Sequence, residues 1–139
     1  MKYIRTKDGV YEILEERNII YILTIDIKTY EKTEKDYSKD INQPKQYLTK
    51  NGIFYDDDII EQADTIEELC DRFVFEYKKY DEDNNFIDRY WRDYFFMWEA
   101  KETYDNCKVK DKVVYGAIIT NKGLIYVAKM NENGDLVLI

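Results

Sequence analysis

The 139-residue chain has no histidine, one proline, five glycines and two cysteines. Without histidine there is no Ser-His-Asp or Cys-His catalysis and no imidazole-ligated metal. Cys70 and Cys107 make no disulfide framework, and two separated cysteines cannot build a structural zinc site. Positive charge is also short: 21 Lys and Arg stand against 29 Asp and Glu, a net −8. Nucleic acid and anionic membrane both call for clustered bases. No apolar run approaches the roughly 20 residues of a membrane span, and the start, MKYIRTKDG, lacks a signal-peptide apolar core. The expectation is a cytoplasmic protein with no cofactor, no direct nucleic-acid contact and no membrane contact. Carboxylate and divalent-cation mechanisms survive these exclusions.

What is present points to sheet. Hydrophobic residues make up 45% of the chain and aromatics 16%, fourteen of them Tyr, enough for one packed domain over residues 1–139 despite the charge. Four of the five glycines close a matching tetrad: Thr6-Lys7-Asp8-Gly9, Thr49-Lys50-Asn51-Gly52, Thr120-Asn121-Lys122-Gly123 and Asn131-Glu132-Asn133-Gly134. A polar residue, two turn-tolerant residues and a Gly able to take φ > 0 spell a hairpin turn. Apolar or β-branched runs flank each tetrad, and residues 113–139 read as a three-stranded meander. Glu16-Arg17-Asn18 reads as a further turn, before a strand from Ile19 to Ile27. Between Lys28 and Gln46 the pattern gives way to mixed charge and the single Pro44, a hairpin end or loop.

Residues 56–71, DDDIIEQADTIEELCD, hold eight acids and no base, and outside them acids and bases balance. Ile66, Leu69, Cys70 and Phe73 fall at helical spacing, with Asp64 and Glu67 or Thr65 and Glu68 as a capping box, so a short helix is expected over 64–73. Asp56, Asp57 and Asp58 with Glu61 are carboxylates of the type that hold Mg²⁺ or Mn²⁺. Adjacent acids on a strand point to opposite faces, however, and a solvated edge or turn is the better account of them. A lopsided acidic surface also suits a basic partner, or mimicry of nucleic acid in a partner's basic groove.

Asp81 to Asn85 opens like a calcium loop, but Phe86 stands where Gly is required and Arg92 where Glu is required. The run from Phe86 to Trp98 is dense in aromatics. At helical spacing Ile87, Trp91, Phe95 and Trp98 form one line; as a strand, Tyr90, Tyr94, Phe96 and Trp98 share a face. The helical reading, near 86–100, is adopted. Arg89, Tyr90, Trp91, Arg92 and Tyr94 combine guanidinium groups with ring faces, the materials of a nucleotide pocket. The same residue types serve a core stripe, a protein interface or a homo-oligomer contact through 86–98.

The blocks MKYIRTKDGVYE, IIEQADTIEELCDRFV and GAIITNKGLIYVAKMNENGDLVLI, about fifty residues together, resemble a group of small uncharacterised proteins from phages and prophages of low-GC Gram-positive bacteria. The resemblance implies a setting of host-directed binding, including inhibition of a bacterial defence system, and carries over no catalytic residue.

The expected architecture is α+β: a mainly antiparallel, bent sheet or small barrel of six to eight strands, with helices at 64–73 and 86–100. The expected activity is non-enzymatic binding of a host protein with a basic surface, through Asp56, Asp57, Asp58, Glu61 and exposed aromatics of 86–98. The alternative is capture of a small nucleotide signal by Arg89, Tyr90, Trp91, Arg92 and Tyr94. A carboxylate-metal enzyme ranks third.

Overall fold

A computed structural model describes residues 2–18, 21–25, 32–35 and 45–139. The strands, in chain order, are β1 (Tyr3–Arg5), β2 (Val10–Glu12), β3 (Glu15–Asn18), β4 (Tyr21–Ile25), β5 (Lys32–Lys35), β6 (Lys45–Thr49) and β7 (Gly52–Tyr55). They continue as β8 (Glu61–Ala63), β9 (Arg72–Tyr80), β10 (Phe86–Tyr94), β11 (Asp111–Thr120), β12 (Gly123–Met130) and β13 (Leu136–Leu138), with one helix, α1 (Met97–Asn106), between β10 and β11. Every pairing is antiparallel: a five-stranded sheet β10-β9-β11-β12-β13, three-stranded sheets β2-β1-β8 and β3-β6-β7, and the β4-β5 pair. The α+β, mainly antiparallel class holds. The barrel does not, since no sheet closes among the described residues, and the strands are more numerous and shorter than expected.

The four tetrads are turns, and three share one hydrogen-bond pattern. Thr6, Thr49 and Thr120 each accept on Oγ1 the N–H two residues on, at 3.2, 3.1 and 3.1 Å. Gly52 and Gly123 have φ of +130° and +100°, the left-handed side that a Cβ disfavours. The residues 113–139 meander is present as β11-β12-β13.

Both expected helices are corrected. Over 64–73 only a 3₁₀ turn, Glu67–Leu69, forms; Thr65 Oγ1 accepts the Glu68 N–H at 3.4 Å, and Cys70 is already extended. The apolar stripe is buried as expected, but Arg72-Phe73-Val74-Phe75 enters β9, held between β10 and β11. Two ladders outweigh the intrinsic preference of one short amphipathic turn. Residues 86–94 are strand β10, paired with β9, and the helix begins only at Met97. Two smaller points concern the first half. Glu16-Arg17-Asn18 lies within β3, paired with β6, and Lys32–Lys35 pairs with β4, which agrees with a hairpin end and not with a loop, the two readings offered for that stretch. The remainder of the 28–46 expectation lies outside the described residues.

Strand alternation gives the five-stranded sheet two unlike faces. Phe73 and Phe75 of β9 and Val114 of β11 pack against Met97 and Ala100 of α1. Farther along the same face, Ile118 packs with Val10, Ala63 and Leu69, so the β2-β1-β8 sheet covers what α1 does not. Side-chain ties join the small sheets to one another. Tyr11 stacks on Phe54 at 4.7 Å, and the buried Tyr47 donates to Asp56 Oδ1 at 3.0 Å while accepting from Gln62 Nε2 at 3.1 Å.

Candidate functional site

The opposite face of the five-stranded sheet is the one that α1 does not pack on. Cross-strand partners share a face, so the register places Arg89 and Trp91 of β10, Val74 and Glu76 of β9, Tyr115 and Ala117 of β11, and Tyr126 of β12 together on it. Val74 and Ala117 are fully buried there. Tyr115 and Tyr126 stack at 4.4 Å with rings 7° from parallel, and the Arg72 guanidinium lies 4.0 Å over the Phe95 ring.

Arg89, Trp91, Leu124 and Tyr126 line one hollow of about 370 Å³. β10 and β12 are not neighbours, since β9 and β11 run between them. Side chains from both can border one hollow only if the sheet curls about this face, as twisted sheets do. Beside Arg89, Glu76 is buried, and its Oε1 accepts from Arg89 Nε at 2.8 Å. Burial and then the Glu76 carboxylate push the Tyr126 phenol above its ordinary 10, with Arg89 opposing, which places all three groups within electrostatic reach. Around this pair the surface is apolar and open: Trp91 is 56% exposed, Leu124 40% and Tyr126 39%. A larger hollow of about 620 Å³, between the β1-β2 hairpin and β12-β13, also borders Tyr126, so the two adjoin.

The five residues expected to form a pocket do not converge. Arg89 and Trp91 are on the open face, while Tyr90, Arg92 and Tyr94 share the α1 face, paired with Tyr77, Phe75 and Phe73. Tyr90 stacks on Tyr77 at 5.4 Å, Arg92 sits 5.0 Å over the Tyr94 ring, and the Tyr94 hydroxyl is 2.8 Å from Thr103 Oγ1. A strand puts consecutive residues on opposite sides, so a cluster that converges on a helix is divided here. Sequence reading missed Glu76, Leu124, Tyr115 and Tyr126, whose contribution depends on pairing between distant strands.

The acidic stretch is displayed, but in pieces. Asp56–Asp58 form an exposed 3₁₀ turn after β7, in which Asp58 Oδ2 accepts the Tyr55 N–H at 3.0 Å and Asp56 accepts from Tyr47. Asp71 is bound to Arg5 through two hydrogen bonds of 2.6 and 2.7 Å. Asp57, Glu61, Glu67 and Glu68 are exposed, with Glu61 opposite Arg5 on β8.

Comparison with protein-family models, curated proteins and solved structures finds no match. Function is therefore argued from the site alone. Among the described residues no group of three or more Cys, Asp or Glu is placed to hold a metal ion, and no helix is long and apolar enough to cross a membrane.

Proposed function

We propose that this protein acts by binding another protein, not by transforming a substrate. In the phage setting its wording resembles, the partner would be a host protein, including a component of a defence system. The observation that supports this is the hollow that Trp91, Leu124 and Tyr126 line together with Arg89, which is itself paired to the buried Glu76. Trp, Tyr and Arg around a small apolar hollow are the residues that dominate protein–protein binding energy when a partner seals them from water. The exposed acids Asp57, Glu61, Glu67 and Glu68 would favour a basic partner and speed its approach. A nucleotide-signal trap is less well supported, because Glu76 already neutralises Arg89 and Arg92 lies on the other face.

Immobilised protein should retain a host protein from lysate in a manner that depends on the hollow. Tyr126→Ala is expected to weaken retention of that protein at least about tenfold, and Leu124→Asp to abolish it, with the fold intact by circular dichroism. Asp57→Asn with Glu61→Gln should slow association more than it speeds dissociation. Retention indifferent to both hollow substitutions would refute the proposal.

A further inference from the structure

Strand β10 is an edge. It pairs with β9 on one side and, among the described residues, with nothing on the other. All of its nine residues except Tyr94 are exposed. The direction of its backbone groups can be deduced. Asp81 N–H bonds the Asn85 carbonyl at 2.9 Å, and alternation from there turns the odd-numbered residues of β9 toward β10. Their partners in register are Asp88, Tyr90, Arg92 and Tyr94, so Arg89, Trp91 and Asp93 direct N–H and C=O outward. Consistently, the Arg89 N–H is taken by the Asp88 carboxylate at 2.8 Å.

An edge of this length is ordinarily blocked by charge. Here the charged residues are Asp88, Arg89, Arg92 and Asp93, two of each sign. Antiparallel pairing of two such strands must set outward residues against outward residues. One register that does so places Trp91 against Trp91 of a second copy. Arg89 then faces Asp93 of that copy, twice over, and Tyr90 faces Arg92, twice over: opposite charges, and a cation against a ring face. Glu76 occupies only Nε of Arg89, and the remaining nitrogens of the guanidinium are available to a carboxylate. Two acids and two bases leave the strand neutral, so chains of net charge −8 would meet along a strip that does not repel.

We propose that β10 pairs with β10 of a second copy in the Trp91-centred register, joining the two five-stranded sheets into one. The curled face of each copy then continues across the joint, and the second copy's Trp91 borders the hollow of the first. This does not rest on the host-protein reading. That reading is tested at Tyr126 and Leu124 on β12, away from the joint.

Sedimentation equilibrium across a concentration series should show the mass rising from 16.9 kDa to twice that value. Asp93→Pro removes an outward N–H and one charge partner, along with the 3.9 Å ion pair to Arg72, but no β9 ladder bond, and is expected to leave a monomer. In a Cys107→Ser background, Trp91→Cys should cross-link on mild oxidation, since facing residues in a hydrogen-bonded pair lie about 5.5 Å apart between Cα atoms, within disulfide reach. Tyr90→Cys should not, because it faces Arg92. A chain that stays at 16.9 kDa at the highest soluble concentration overturns the proposal. So does a dimer that survives Asp93→Pro, or one cross-linked through Tyr90→Cys but not Trp91→Cys.

Discussion

Arg5 grips Asp71 with both arms of its guanidinium, Nη1 to Oδ1 at 2.6 Å and Nη2 to Oδ2 at 2.7 Å, across 66 residues of chain. The same Oδ2 accepts the Ile119 N–H at 2.7 Å. One carboxylate thereby ties β1 to the point where the chain enters β9 and to β11, fastening a small sheet to the large one. Asp71→Ala leaves Arg5 without this partner in a site where its side chain is only 16% exposed. The expected loss is about 3 kcal/mol, the lower end of the range for breaking a buried pair because Asp71 retains some solvent contact. Arg5→Lys keeps the charge but cannot make the parallel bonds, and about half that loss is expected. Urea denaturation midpoints at constant m-value measure both.

That carboxylate also sets a pH dependence. Burial alone would raise the Asp71 pKa, but the Arg5 hydrogen bonds, the Ile119 N–H and the charges of Arg5 and Arg72 together hold it below its ordinary 3.8. The folded protein thus binds this proton less tightly than the unfolded chain. Its contribution is complete above the unfolded value and disappears as pH falls through the folded one. Stability should decline from about pH 5 downward, and Asp71→Asn should be less stable at neutral pH yet show a shallower decline. Thermal midpoints between neutral and acidic pH for both chains test this. Parallel curves would show that other groups carry the acid sensitivity.

Gly116 lies beside a register shift in the β11-β12 ladder, where Val127 is the extra residue. A Cβ on it would meet Cys70 Sγ at 2.8 Å and Leu136 Cδ1 at 3.0 Å. Gly116→Ala is therefore expected to cost about 1–3 kcal/mol through overpacking. Adding Cys70→Ala removes the nearest atom and should recover part of the loss, a coupling readable by a double-mutant cycle. Additive costs would place the strain elsewhere.

The turns were the most legible part of this chain, and they also show how one went unread. Asn131 Oδ1 accepts the N–H groups of Asn133 and Asp135 at 2.9 and 3.0 Å. Asp81 Oδ1 accepts those of Asp83 and Asn85 at 2.9 and 2.8 Å. These are the same turn, with Asn84 at φ 64° where the other has Gly134 at 83°. Reading Asp81 to Asn84 as a fifth tetrad, with Asn tolerating the left-handed region, would have made 72–94 a hairpin and divided Tyr90 from Trp91. The acidic stretch was legible in composition but not in distribution, since the use of Asp71 by Arg5 depends on contacts 66 residues away. The hollow was half legible: Arg89 and Trp91 stood out as residue types, whereas Tyr126 and Glu76 reach them only through strand order.

Cys70 gives a chemical probe of packing. Burial first, and then the neighbouring Asp71 carboxylate, push its thiol up to about 12. The reactive species in alkylation is the thiolate, so at pH 8 native Cys70 is almost entirely in the unreactive form. Mass spectrometry after iodoacetamide treatment should show at most one adduct on the native chain, at Cys107, and two after unfolding in urea. Rapid native labelling at Cys70 would mean that the contact between the 3₁₀ turn and β11 opens readily.

Among the described residues, Glu76 and Arg89 form the one ion pair of the open face whose carboxylate side chain is nearly sealed, at 9% exposure against 56% for the arginine. Removing the arginine leaves a buried anion with its strongest donor gone, whereas neutralising the acid leaves an acceptor that Arg89 can still use. Arg89→Ala should therefore cost more than Glu76→Gln, about 1–3 kcal/mol against less than about 1. The double variant Arg89→Ala with Glu76→Gln should lie closer to Glu76→Gln than to the sum of the two. The order of urea midpoints decides it. If Glu76→Gln is the more damaging single change, the carboxylate serves a group other than Arg89, and the account of the hollow as a neutralised, apolar-walled seat for a protein partner would have to be rebuilt around that anion.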